Sequence, residues 1–252
     1  MSAATRPHGT AAWLDLTTPD LDAAADFYSR LLAWDLEAAE TPMGRYVTGS
    51  IDAGPVAGMM AAPPDATDTV PAWAVFFDVT DVDEVFDRAR RLGGTGLQPP
   101  TRVPGGARIA VVGDPAGAVV GLLQSDGGTP MAWGVTGAVA WVECQSRDVE
   151  ASEAFYADLL GWTRGGEVDG YRVLECGGEQ VAGLMTMPAE VPAEAPSCWL
   201  AYFAVDDVGA ACARAAELGG TVVVPPMTLQ DTTFAVMTDP FGALFAVLGT
   251  SG

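Results

Sequence analysis

The chain repeats itself, and the repeat is the feature that most restricts its fold. "GTAAWLDLTTPDLDAAADFYSRLLAW" (9–34) aligns without gaps to "GAVAWVECQSRDVEASEAFYADLLGW" (137–162), with 10 identities in 26 positions. The match continues in register. "PVAGMM" (55–60) returns as "QVAGLM" (180–185), Tyr46 as Tyr171, and "WAVFFDVTDVDEVFDRARRLGGT" (73–95) as "WLAYFAVDDVGAACARAAELGGT" (199–221). "DPAGAVVGLL" (114–123) returns as "DPFGALFAVL" (239–248). A unit of this length is domain-sized, unlike a solenoid repeat. The 252 residues therefore divide into a first domain at 9–123, a linker at 124–136 and a second domain at 137–249.

Within each unit one subpattern occurs twice. Residues 11–17 alternate as a strand, and "TTPD" then offers Asp20 as a helix N-cap. Leu21, Ala24, Phe27, Tyr28, Leu31 and Leu32 form an apolar stripe at helical spacing, which makes Phe27 and Tyr28, with Phe155 and Tyr156, core residues. After Trp34 come β-rich pieces broken by Gly and Pro, "RYVTGSI" and "PVAGMMA". The pattern restarts at 73–79. Asp81 is the next N-cap with Glu84 completing a capping box, and the helix is stopped by Gly93-Gly94. Strands at about 107–112 and 117–123 follow, joined by a turn at Asp114-Pro115-Ala116-Gly117. The order is β-α-β-β-β four times over, an α+β arrangement of four modules whose curved mixed sheets, covered by helices on one face, leave a cleft on the other.

Composition removes several kinds of chemistry. The formal charge is −21, which disfavours a nucleic-acid partner. All 12 basic residues are Arg, so Schiff-base chemistry and a P-loop lysine are excluded. The single histidine, His8, lies in an N-terminal segment read as mobile, so neither a multi-histidine metal site nor an ordinary Ser-His-Asp triad is available. Cys144, Cys176, Cys198 and Cys212 share no CxxC spacing and read as small apolar residues. With no signal segment and no apolar run long enough to span a bilayer, the chain is expected to be cytoplasmic, without a membrane partner, as a monomer or homodimer.

The strand-to-helix signature ending in Phe27-Tyr28 and Phe155-Tyr156, the Leu31-Leu32 and Leu159-Leu160 pairs, and the "DPAG" and "DPFG" turns together resemble the vicinal oxygen chelate superfamily. That superfamily comprises glyoxalases, bleomycin resistance proteins, extradiol dioxygenases and relatives. The resemblance covers nearly the whole chain, as a tandem of two glyoxalase-like domains. It implies metal-ligand positions on the first strand, near the start of the middle strand, and about seven residues after the turn Asp. Here those positions fall on Trp13, around Ala74, and on Gly121, and in the second unit on Trp141, around Leu200, and on Ala246. None of these side chains is a metal ligand, so the expectation is the superfamily fold with no metal and no cofactor.

If Trp13 points into the cleft, alternation puts Asp15 and Thr17 beside it, and likewise Trp141, Glu143 and Gln145 in the second unit. An indole beside a carboxylate suits a planar or cationic ligand, although an indole can equally plug a cavity that has lost its metal. Tyr46 and Tyr171 are candidate hydroxyl donors in the cleft. Arg102 and Arg108 flank "VPGGA" (103–107), a loop one residue longer than its counterpart around Gln230-Asp231-Thr232. The leading expectation is a metal-free binding protein that holds an aromatic or cationic natural product or antibiotic. The alternative is a metal-independent isomerase, cyclase, epoxide-opening enzyme or hydrolase with Asp15 and Glu143 as general acid and base. A metal-dependent lyase or dioxygenase is the reading least consistent with the residues at the ligand positions.

Overall fold

A computed structural model describes residues 8–63, 70–126, 131–229 and 231–249. In chain order the elements of the first repeat are β1 (Ala11–Thr18), α1 (Leu21–Leu32), β2 (Asp35–Thr41), β3 (Gly44–Ile51), β4 (Gly54–Ala61), β5 (Ala72–Asp78), α2 (Val82–Arg91), β6 (Thr95–Arg102), β7 (Arg108–Gly113) and β8 (Val119–Gln124). The second repeat supplies β9 (Val139–Ser146), α3 (Val149–Leu160), β10 (Thr163–Val168), β11 (Tyr171–Cys176) and β12 (Glu179–Thr186). It ends with β13 (Cys198–Val205), α4 (Val208–Glu217), β14 (Thr221–Leu229), β15 (Thr232–Thr238) and β16 (Leu244–Gly249). Each repeat thus forms one mixed sheet of eight strands, ordered β2-β3-β4-β1-β5-β8-β7-β6 and β10-β11-β12-β9-β13-β16-β15-β14. The β-α-β-β-β order holds four times, and the chain is an α+β tandem, as the repeat predicts. Parallel pairs, β1 with β4 and β5 with β8, meet antiparallel hairpins on either side.

Each helix begins where an aspartate caps it. Asp20, Asp81, Asp148 and Asp207 accept the backbone N–H three residues on, which satisfies one of the donors a helix start leaves unpaired. α1 and α3 end at left-handed residues, Ala33 and Gly161, the geometry of an αL cap. No helix among the described residues is long and apolar enough to cross a membrane.

The described residues cluster into two compact units, each drawing one module from either repeat: those within 1–13, 74–130 and 142–200 in one, those within 14–73, 131–141 and 201–252 in the other. Inside each unit the recurring motifs meet. In the second of these units, Tyr28 donates to Asp239 of the "DPFG" turn at 3.2 Å and accepts from the Trp73 indole N–H at 2.9 Å. Asp239 also accepts the backbone N–H groups of Phe241 and Ala243. Trp34, the tryptophan of "LLAW", donates to the Gly137 carbonyl at 2.6 Å. The other unit repeats the plan. Trp199 donates to Tyr156 at 2.9 Å, Trp162 donates to the Gly9 carbonyl at 2.7 Å, and Asp114 of "DPAG" accepts from Ser152 at 2.7 Å. These buried polar groups are paired as burial demands, and the tryptophans, tyrosines and phenylalanines around them pack mostly edge to face.

His8, expected in a mobile tail, instead occupies a turn. It is half-buried, and its carbonyl accepts from the Cys176 thiol. Burial holds its imidazole below the ordinary range, with the nearby Arg88 charge adding to the effect.

Candidate functional site

Strand β1 alternates as its sequence dictates. Ala12, Leu14, Leu16 and Thr18 are buried, whereas Trp13, Asp15 and Thr17 are half-buried on the opposite face. On that face Asp15 is fixed by a neighbour two strands away. Tyr46 of β3 reaches across β4 and donates its hydroxyl to Asp15 Oδ1 at 2.5 Å. The strand between them carries Gly58, in register with Asp15. A Cβ on Gly58 would stand 1.6 Å from Tyr46 Oη and 2.5 Å from Asp15 Oδ1, so the contact exists only because that backbone is bare. The adjacent Arg45 bonds Asp22 of α1, which places Tyr46 on the face away from the helix.

In the second repeat, Glu143 of β9 stands opposite Gly183 as Asp15 does opposite Gly58. Glu143 is more deeply placed, 4 % exposed, and accepts from the Gln145 side-chain amide at 2.9 Å. The repeat places the two carboxylates alike, yet Asp15 holds the more open position. Tyr171 is half-buried on β11. Its neighbour Arg172 turns to α3, pairing with Glu150 and Glu153. Cys198 lies close enough to Glu143 for that carboxylate to act on it. Burial first, and then the Glu143 charge, push its thiol up to about 11. Burial raises Cys144 as well, so neither thiol is an activated nucleophile.

The arginines go elsewhere. Arg108 pairs through both guanidinium nitrogens with Asp83 of α2, on the face opposite its neighbour Ile109. Arg102 is exposed and donates to the Gly106 carbonyl of its own loop. Of the loop compared with it, Gln230 lies outside the described residues.

Trp13 packs with Ala74, Ala107 and Ile109 on a small cluster of Ala12, Phe76 and Leu123. Sequence reasoning missed Phe76, which lies with its ring over Gly121. A Cβ there would stand 2.1 Å from Cδ1 of that ring. The positions to which the resemblance assigns metal ligands, Trp13, Ala74 and Gly121, thus offer no donor atom, and an aromatic ring lies across one of them. These residues do not fit a metal ion. Among the described residues no three His, Cys, Asp or Glu side chains are grouped to hold one.

The sequence matches the Glyoxalase/Bleomycin resistance protein/Dioxygenase superfamily twice, over residues 10–122 and 138–247. It is 36% identical over 251 residues to "Putative glyoxylase CFP32" of Mycobacterium tuberculosis, covering 95% of this chain and 94% of the relative. It is 34% identical over 263 residues to the anthracycline biosynthesis protein DnrV of Streptomyces peucetius, covering 95% and 93%. Among solved structures, the Mn(II)-bound glyoxalase from Novosphingobium aromaticivorans superposes with a TM-score of 0.68 at 15% identity, over 98% of this chain and 83% of the other. At that identity the likeness concerns the fold alone. Two tandem matches and relatives of this closeness leave one conclusion: the chain belongs to the glyoxalase/bleomycin resistance protein/dioxygenase superfamily.

Proposed function

We propose that the protein binds a planar aromatic natural product carrying a basic group, without a metal ion. The observation that carries this reading is Asp15, anchored by Tyr46 on the same face of β1 as the half-buried Trp13. An indole offers a stacking surface, and a positioned carboxylate offers a partner for an ammonium group. The relative named for anthracycline biosynthesis supports this class of ligand. Binding of this kind would sequester a toxic compound or hold a biosynthetic intermediate.

The test is a titration of the purified protein with doxorubicin, which has both ring system and amine, and with quinizarin, which has the ring system alone. Asp15→Asn is expected to weaken doxorubicin binding roughly tenfold and leave quinizarin almost unchanged. Equal binding of doxorubicin to both proteins would remove Asp15 from the site.

A second reading keeps the same residues and adds chemistry. A phenol hydrogen-bonded to a carboxylate is an arrangement that can move a proton, so Asp15 and Tyr46 would act as general base and acid in an isomerisation, ring closure or hydrolysis. A product formed from the bound compound, lost in Asp15→Asn with affinity kept, would favour this reading over binding alone.

A further inference from the structure

Two fates are open to a tryptophan at a former ligand position: to plug the vacant corner or to present its indole. The structure separates them in the first repeat. The corner is filled from β5 by Phe76, in register with Gly121 of β8, and its ring lies directly on that glycine. A Cβ at Gly121 would meet three atoms of the ring at 2.1, 2.3 and 2.4 Å, so ring and glycine form a matched pair. Phe76 is only 5 % exposed, with Ala12 and Leu123 buried beside it, and Trp13 packs against this group while remaining half-buried.

The second repeat lacks the pair. There Ala246 is in register with Tyr202, and its Cβ occupies the side of the strand that Gly121 leaves bare. Tyr202 turns its ring edge-on to Phe234, with centroids 6.2 Å apart. The duplicated halves have therefore diverged at this position.

We infer that Phe76, seated on Gly121, is a positioning residue that fills the former metal corner and holds the Trp13 indole up as the surface on which a planar ligand stacks. This rests on the aromatic-ligand reading above and assigns the stacking role to the first repeat. The geometry has a simple consequence. Without the Phe76 ring in the corner, Trp13 can sink into it, and the platform is lost even though the indole is still present.

The experiment uses quinizarin as the probe, because it is planar, achiral and without a basic group. Two signals are read: its affinity by fluorescence titration, and the circular dichroism induced in its visible band on binding, which reports a fixed stacking geometry. Phe76→Leu keeps an apolar side chain of nearly the same reach, and Gly121→Ala pushes the ring off its seat without touching Trp13. Far-UV circular dichroism confirms that each variant is folded. Both are expected to bind quinizarin at least tenfold more weakly and to lose the induced signal at saturation, as Trp13→Leu does. Wild-type affinity and signal in either folded variant would overturn the role of Phe76 while leaving the aromatic-ligand reading intact. Failure of the wild-type protein to bind quinizarin, while binding doxorubicin, would overturn the platform alone. Failure to bind either compound would overturn both.

Discussion

Tyr46 reaches Asp15 over the bare backbone of Gly58, two strands apart and joined at 2.5 Å. Three residues that the sequence separates by up to 43 positions thus act as one device. Its parts are a carboxylate, the hydroxyl that orients it, and the absence of a side chain that lets them meet.

Gly58→Ala is therefore expected to do more damage than the addition of one methyl group suggests. The new Cβ and Tyr46 Oη cannot coexist, so the tyrosine must swing away and leave Asp15 without it. The cost is about 2 kcal/mol of stability, and doxorubicin affinity falls to the level of Tyr46→Phe. Urea unfolding and the ligand titration measure the two effects. An alanine variant with unchanged affinity would mean that the Asp15–Tyr46 contact plays no part in binding.

The two aspartates of the proline-glycine turns differ in their supporting donors. Asp239 takes a hydroxyl from Tyr28, whereas Asp114 has, besides Tyr156, a second hydroxyl from Ser152, whose counterpart in the first repeat is Ala24. Tyr28→Phe strips Asp239 and the Trp73 indole of a partner together and should cost about 3 kcal/mol. Tyr156→Phe likewise strips the Trp199 indole of its acceptor but leaves Asp114 its serine, and should cost about 1 kcal/mol less. Chemical denaturation of the two variants gives the order directly, and equal losses would contradict it.

Asp78 carries a pH dependence with a definite sign. Burial pushes its carboxyl from 3.8 up to about 6, so the folded state prefers it protonated. Its favourable contribution is present below about pH 4 and is lost as the pH rises through about 6. Asp78→Asn should raise the thermal midpoint over wild type near neutral pH, and the gap should close towards about pH 4. A gap independent of pH would show that Asp78 titrates as it does in the unfolded chain.

The fold was legible in the sequence because its determinants are local and stated twice: capping aspartates, alternating strands, helical stripes and Gly-containing turns. Strands β2 and β10 were hard to see, since "DLEAAET" and "TRGGEV" are exposed at sheet edges and carry no apolar alternation. Trp34 and Trp162 were visible as repeated residues, yet their acceptors, the carbonyls of Gly137 and Gly9, lie 103 and 153 positions away. The same holds for Tyr28 and Asp239, 211 apart, where each motif could be read but not their partnership. At the site, Asp15, Tyr46 and Trp13 were legible as types and positions. Gly58 and Gly121 were not, because a glycine's meaning lies in what occupies the space beside it. Gly121 in particular read only as a missing ligand, although it is the seat of Phe76. The one available signal was the divergence of the duplicated positions, Gly121 against Ala246 and Phe76 against Tyr202.

The central claim is that a planar, basic aromatic compound binds without a metal ion. The most direct test is calorimetric titration of doxorubicin into protein exhaustively treated with chelator, repeated after adding back Mn(II), Fe(II) or Zn(II). The account predicts saturable binding in the chelated protein, unchanged by metal and weakened in Trp13→Leu and Asp15→Asn. Binding that appears only when a divalent metal is restored would contradict it and return the protein to the metal-dependent members of its superfamily.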